Sequence, residues 1–235
     1  MRIDIWSDIV CPWCYIGKRH LEAALADTDL DEVEIHWHSF ELDPHAPKTL
    51  DVPLEQALAR KYGMSLAQAR DAQARVTGVA AEAGLTFRFD QAKTGNTFDA
   101  HRLLQLANAH DLGDALKERL MRAYFTDGLP ISDPDTLAAL AAEVGLDEEE
   151  ARQTLTGDRF TEEVRADEAQ ARQMGVRGVP FFVFDGRYGV SGAQPPATLR
   201  RYLERARAEG MPQAGPGCGD SGCAVPDPAA SGDAP

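Results

Sequence analysis

The chain is expected to form an α/β fold in which a β-α-β unit and a β-β-α unit are separated by a large all-helical insertion. Three observations predict this. Alternating apolar residues cluster near the two ends, at Ile3 and Ile5, at Val33-Glu34-Ile35-His36-Trp37-His38 and again at Val179 to Val190, as half-buried strands require. Between them, from about Leu54 to Met174, apolar residues recur at helical spacing with repeated start and stop signals. A dithiol, Cys11-Pro12-Trp13-Cys14, sits where the first strand should meet the first helix.

The elements follow in order. Ile3 and Ile5 define the first strand, Ile16, Leu21 and Leu25 set helical spacing from Cys14 to Ala26, and residues 33–38 alternate again. A parallel strand pair with a crossover helix is the expected product. In the middle region Ser65 with Gln68 forms a capping box, Asp147 with Glu150 a variant of one, and Asn96 caps the run through Leu106. Gly84, Gly113, Gly128, Gly145 and Gly175 fall near the ends of successive runs, where a left-handed residue closes a helix. No repeating motif links these runs, so a solenoid is not expected. Val179 to Phe184 and Arg187 to Val190 read as strands joined by Asp185-Gly186, a primed-turn signal. A last helix spans Pro196 to Arg207. The expected division is residues 1–50 for the first half of the sheet unit, 51–174 for the insertion, 175–210 for the second half, and 211–235 for a flexible Gly/Pro-rich tail.

The dithiol carries the chemistry. At a helix N-terminus the unpaired N–H groups and the macrodipole favour a thiolate, which makes Cys11 the candidate nucleophile. Cys14, one turn on, lies on the same face and is placed to resolve a mixed disulfide. Pro12 suits the first helical turn, and Trp13 completes the motif without adding a cation. Asp8, three residues before Cys11, is a candidate for proton transfer and equally a candidate for a turn or cap hydrogen bond. His36 and His38 share one side of a strand and are expected to face solvent or pack under a helix, not to share a metal.

Composition bounds the function. The chain has 235 residues, 43% apolar content and a formal charge of −14, so it can bury a full core, and its charge argues against a nucleic-acid partner. No stretch approaches the roughly 20 apolar residues of a membrane span, and the first residues lack the apolar run of a secretory signal. A cytoplasmic protein with no membrane partner is expected. The four cysteines fall into two pairs, Cys11/Cys14 and Cys218/Cys223. In a reducing compartment such pairs serve catalysis, redox sensing or metal binding more often than structural stapling.

The segments Ser7 to Cys14, Phe40-Glu41-Leu42-Asp43-Pro44, Asn96-Thr97-Phe98-Asp99-Ala100-His101 and Gly178-Val179-Pro180-Phe181-Phe182 together resemble the DsbA family of thiol–disulfide oxidoreductases, and within it the cytosolic FrnE-like branch. The resemblance covers residues 2 to 208. The order of elements matches a thioredoxin fold with helices inserted in its middle. In that family the proline matching Pro180 is cis and faces the dithiol, leaving the backbone before it, here Val179, to pair with a substrate peptide. Read without the resemblance, Pro180 is a proline at a strand start. The dithiol is expected to carry a Cys11 thiolate pKa between about 7 and about 3.5, the span from thioredoxin to the strongly oxidising periplasmic enzyme. His101 is expected to pack near the active-site face.

The resulting expectation is an enzyme that exchanges or isomerises protein disulfides through Cys11 and Cys14, with no cofactor and no resident metal. Its partners would be unfolded or disulfide-bonded client proteins and a thiol reductant or oxidant. The insertion could add chaperone activity. Cys218-Gly219-Asp220-Ser221-Gly222-Cys223 allows its sulfurs to meet, and the eight residues from Gly210 to Cys218 reach at most about 26–29 Å, so this pair is a candidate electron shuttle. Two alternatives stand beside this reading: a thiolate metal-binding or metal-sensing protein using Cys218 and Cys223, alone or with Cys11 and Cys14, and a glutathione-dependent small-molecule isomerase, against which the retention of Cys14 counts.

Overall fold

Ile3 and Ile5 place their side chains on one face of β1 (Arg2–Ser7), while Asp4 and Trp6 point to the other. A computed structural model describes residues 1–28, 32–49 and 52–210 of the protein. β1 pairs in parallel with β2 (Glu34–Ser39) and antiparallel with β3 (Phe181–Phe184), which continues through a hairpin into β4 (Tyr188–Ser191). The strand order is β2-β1-β3-β4. The parallel pair is bridged by α1 (Pro12–Ala26), as a parallel connection requires.

The period-two patterning explains why both faces of the sheet are covered. Ile3, Ile5, Trp37, Phe182, Phe184 and Val190 form one core with Leu21 and Ala24 of α1 and Leu199, Leu203 and Ala206 of α9 (Pro196–Gly210). Each such fully buried large side chain contributes about 1.5–3 kcal/mol. The opposite face carries Trp6, packed with Phe181, Val183, Val176 and Ala171. The hairpin turn forms at Asp185 (φ 48°) and Gly186 (φ 65°), the two positive φ values of a primed turn.

Among the described residues, seven helices and a π-helical turn fill the insertion: α2 (Leu54–Tyr62), α3 (Leu66–Glu82), α4 (Phe98–Ala109), α5 (Gly113–Arg122), the turn Ala123–Asp127, α6 (Pro134–Glu143), α7 (Glu148–Thr156) and α8 (Thr161–Gln173). The expected caps form in most places. Ser65 and Gln68 make the reciprocal capping box, and the Asp147 carboxylate accepts from the Glu150 N–H. Asn96 accepts from the Phe98 N–H at 2.8 Å while Thr97 occupies the cap position itself. Gly84, Gly128, Gly145 and Gly175 are all left-handed, but Gly113 is not. It opens α5 instead, because a Cβ there would lie 2.0 Å from the Asn108 Oδ1; the left-handed exit from α4 falls at Asp111 (φ 58°). Gly63 (φ 63°), which closes α2, is a stop signal the sequence reading missed.

The two strand histidines meet edge to face, their ring centres 4.6 Å apart. His38 stacks on Trp6 at 4.1 Å, and its ring nitrogens meet Asp167 at 2.6 Å and Asp4 at 2.9 Å, so both are engaged by carboxylates. Burial lowers the His38 pKa, but the hydrogen bonds and charges of Asp167 and Asp4 outweigh it and the net shift is upward. Asp4 is correspondingly lowered to about 2, its His38 and Arg2 hydrogen bonds overcoming burial. A raised histidine stabilises the fold fully below its unfolded value of about 6.5 and loses that contribution as pH rises through the folded value. The depressed Asp4 contributes above about pH 4 and loses it as pH falls toward 2. The cluster is therefore worth most between about pH 4 and 6.5. His38→Gln is expected to cost about 1.5–3 kcal/mol in urea unfolding at pH 5.5, with the gap to wild type narrowing at pH 8.5; an equal gap at both pH values would contradict the assignment.

Candidate active site

The dithiol is built by the turn from β1 into α1. Cys11 is the N-cap residue of α1, with extended backbone (φ −85°, ψ 112°), and Pro12 occupies the first helical turn. The Cys11 N–H donates to the Asp8 carbonyl at 3.3 Å, and the Cys11 carbonyl accepts from Cys14 N–H at 3.0 Å and Tyr15 N–H at 3.4 Å. Both thiols are free and buried, 4% and 1% exposed, with Cys14 the deeper. Trp13 is 43% exposed at the mouth of the site.

Across from the helix end lies the loop before β3. The Val179–Pro180 peptide bond is cis, and the Cys11 thiol donates to the Val179 carbonyl at 3.5 Å. Two tertiary contacts hold this loop. The Pro180 carbonyl accepts from Gly192 N–H at 2.8 Å, and Gly17 in α1 leaves room for the proline ring, since a Cβ there would sit 3.0 Å from Pro180 Cγ. A glycine inside a helix costs about 1 kcal/mol relative to alanine, and close approach of the loop accounts for its presence.

Beneath the dithiol is a buried ionic cluster assembled from four distant segments. The Asp8 carboxylate accepts from Leu42 N–H at 2.8 Å and lies 3.3 Å from His101 Nε2. The Glu41 carboxylate, beside Leu42, takes Asn96 Nδ2 at 3.3 Å and Arg165 Nη1 at 2.6 Å. The segments around Leu42 and around Asn96 to His101 thus converge on Asp8. Burial pushes the Asp8 carboxyl up, but His101, the Leu42 N–H and Lys117 pull it below its ordinary value. Asp8 therefore stays ionised beside the thiols.

Lys117, on α5, is the group the sequence reading did not find. It is fully buried, donates to the Ser7 carbonyl at 3.1 Å and lies 5.4 Å from the Trp37 ring centre. Burial lowers its pKa to about 8, against the opposing pull of Cys14, Asp8 and Cys11. One signal was available: Lys117 shares a helical face with Leu116, Leu120 and Met121, all buried, and a lysine on such a face is almost never fully buried without a partner.

The electrostatics at Cys11 differ from the expected acidic thiol. The hydrogen bond from Cys14, burial and the Cys14 charge push the Cys11 thiol well up, and Asp8 adds to them; the Cys14 backbone N–H pulls the other way. The helix end acts on Cys11 as anticipated, but a second sulfur in contact and a dry site act more strongly.

A cavity of about 800 Å³ opens beside Cys11, lined chiefly by apolar residues of the insertion, among them Leu54, Leu58 and Val76, and by Trp13, Tyr124 and Val179. Among the described residues no group of three or more His, Cys, Asp or Glu is arranged to hold a metal ion, and no helix is long and apolar enough to cross a membrane. The expected second pair, Cys218 and Cys223, lies outside the described residues.

Comparison with known proteins bears on this arrangement. A probable DsbA oxidoreductase from Streptomyces coelicolor is 44% identical and superposes with a TM-score of 0.85, covering 97% of this chain and 100% of that one. The cytosolic disulfide reductase DsbM from Pseudomonas aeruginosa shares the fold at 20% identity, with a TM-score of 0.63 over 89% of this chain and 100% of its own. The uncharacterized protein YwbO of Bacillus subtilis is 30% identical over 148 residues, 63% of this chain and 68% of that one. The family model described as a DSBA-like thioredoxin domain matches residues 2–204. Because that match takes in the helical insertion together with both halves of the sheet, the chain belongs to the DSBA-like thioredoxin-domain family.

Proposed function

We propose that this protein is a cytoplasmic thiol–disulfide oxidoreductase or isomerase of the FrnE-like branch that acts on protein disulfides. The observation that carries the reading is the contact between Cys11 and the backbone of Val179, directly before cis Pro180, with Cys14 one turn on in α1. An extended peptide pairing with Val179 would present its own sulfur to Cys11.

The reductive direction runs as follows. The Cys11 thiolate attacks one sulfur of a client disulfide, forming a mixed disulfide and releasing the other client sulfur as a thiolate. Cys14 then attacks Cys11, its proton passing to the client thiolate released in the first step. The client leaves as a dithiol and Cys11–Cys14 is left oxidised, two electrons having passed to the client. A thiol partner returns those electrons; a structure of DsbM, which shares the fold, is known with GSH. The tail pair Cys218/Cys223 is a candidate intermediate carrier, and the apolar cavity a candidate shelter for unfolded clients.

Cys14→Ser tests the reading. Without a resolving thiol, mixed disulfides with client proteins should accumulate through Cys11 and dissolve on adding dithiothreitol. Absence of trapped clients, with glutathione-dependent turnover of a small aromatic carboxylate intact in the same variant, would favour the isomerase alternative instead. Stoichiometric zinc lost on mutating the cysteines would favour the metal-binding one.

A further inference from the structure

Tyr124 stands in the π-helical turn that follows α5, a backbone form found often at functional sites. The turn is tied down at several points. Arg88 N–H donates to the Phe125 carbonyl at 2.7 Å, Thr126 Oγ1 donates to the Thr86 carbonyl at 2.8 Å, and Leu129 N–H closes on the Ala123 carbonyl at 2.9 Å. Phe125 stacks on Phe87 at 4.4 Å, and Tyr124 meets Phe125 edge-on at 4.9 Å. Gly128 ends the turn in a left-handed conformation where a Cβ would strike Gln91 at 2.8 Å. The ring of Tyr124 is therefore held in one place.

Its hydroxyl has no such anchor. Tyr124 is 3% exposed, yet among the described residues nothing hydrogen-bonds to its oxygen, and the residue lines the same cavity as Asp8, Cys11 and Val179. The oxygen is not among the fully enclosed unpartnered atoms, so it keeps open surface toward the cavity. Burial and the charge of Asp8 raise its pKa, so it is a neutral O–H donor throughout the physiological range.

We propose that the Tyr124 hydroxyl is a substrate-binding donor, which hydrogen-bonds a backbone carbonyl of the polypeptide engaged by Cys11 while Val179 holds that polypeptide on its other side. Asp8, ionised in the same cavity, disfavours a carboxylate in this position and selects a neutral acceptor. An extended peptide alternates its carbonyls to either side, so a strand paired with Val179 directs others into the cavity. This assignment rests on the proposed exchange with protein disulfides.

Tyr124→Phe removes only the oxygen. With a disulfide-bonded peptide as substrate, kcat/KM is expected to fall about three- to tenfold, the value of one hydrogen bond, through a higher KM. With dithiodipyridine, which has no carbonyl, the rate should be unchanged, as should the reduction potential of Cys11/Cys14 and the thermal midpoint. Equal losses on both substrates, no loss on either, a shifted potential, or a lowered midpoint would each overturn the assignment. Should wild-type protein fail to exchange with the peptide disulfide at all, the failure lies with the underlying reading; should it exchange and Tyr124→Phe match it, only the role of Tyr124 is lost.

Discussion

Cys11→Ala should reduce exchange with a protein disulfide to the uncatalysed rate of the assay while leaving the circular dichroism spectrum intact. No other described cysteine can replace it: Cys14 is 1% exposed and does not line the cavity that Cys11 and Val179 share. Removing one small buried sulfur costs far less than the several kcal/mol of a large-to-small core change, so loss of fold is not the expected cause. The pH profile of the wild type carries a second signature. Because Cys14 contact and burial hold the Cys11 proton well above the ordinary thiol range, and only the thiolate attacks, the exchange rate should still be rising with pH through neutrality. A plateau reached below pH 7 would mean that the helix end governs Cys11 after all.

Lys117→Met should slow exchange with a protein disulfide at neutral pH. The buried ammonium favours the Cys11 thiolate against the burial and Cys14 contact that hold its proton on, and only the thiolate attacks. At an effective dielectric of about 20 a neighbouring charge is worth on the order of 1–3 kcal/mol, and each 1.4 kcal/mol is about tenfold in the thiolate fraction. The exchange rate at pH 7 should fall by about ten- to a hundredfold. The pH dependence separates charge from packing: Lys117 is protonated below about pH 8, so the difference between variant and wild type should be full at pH 7 and close as pH rises above 8. A constant offset would point to altered packing. Stability should respond less, since Asp8 keeps His101 and the Leu42 N–H. Asp8→Leu is the harsher change, because it strips a buried cation of its carboxylate, which costs about 3–5 kcal/mol.

Much of the architecture was legible in the chain. Strand alternation at Ile3 and Ile5, the Ser65–Gln68 box and the Asp185-Gly186 turn are encoded within a few residues of where they act, and each forms as its pattern demands. The dithiol was legible for the same reason, its two sulfurs being one helical turn apart. Gly113 misled because a glycine near a helix end serves either to close a helix or to admit a neighbouring side chain, and here the neighbour is Asn108. His101 was expected only to pack; its contact with Asp8 spans 93 residues, beyond what spacing can express.

Sequence alone therefore determined the order of elements and the placing of two cysteines one helical turn apart at the start of α1, because helix periodicity, capping and the Cys-x-x-Cys spacing are local. Only the tertiary structure decided the chemistry's surroundings: a Cys11 proton held up where the helix end alone would have loosened it, a lysine from the insertion buried near the sulfurs, and a tyrosine hydroxyl left without a partner in the cavity. Burial and charge are sums over neighbours contributed by α4, α5, the π-helical turn and the loop before β3, and such sums exist only once the chain has folded.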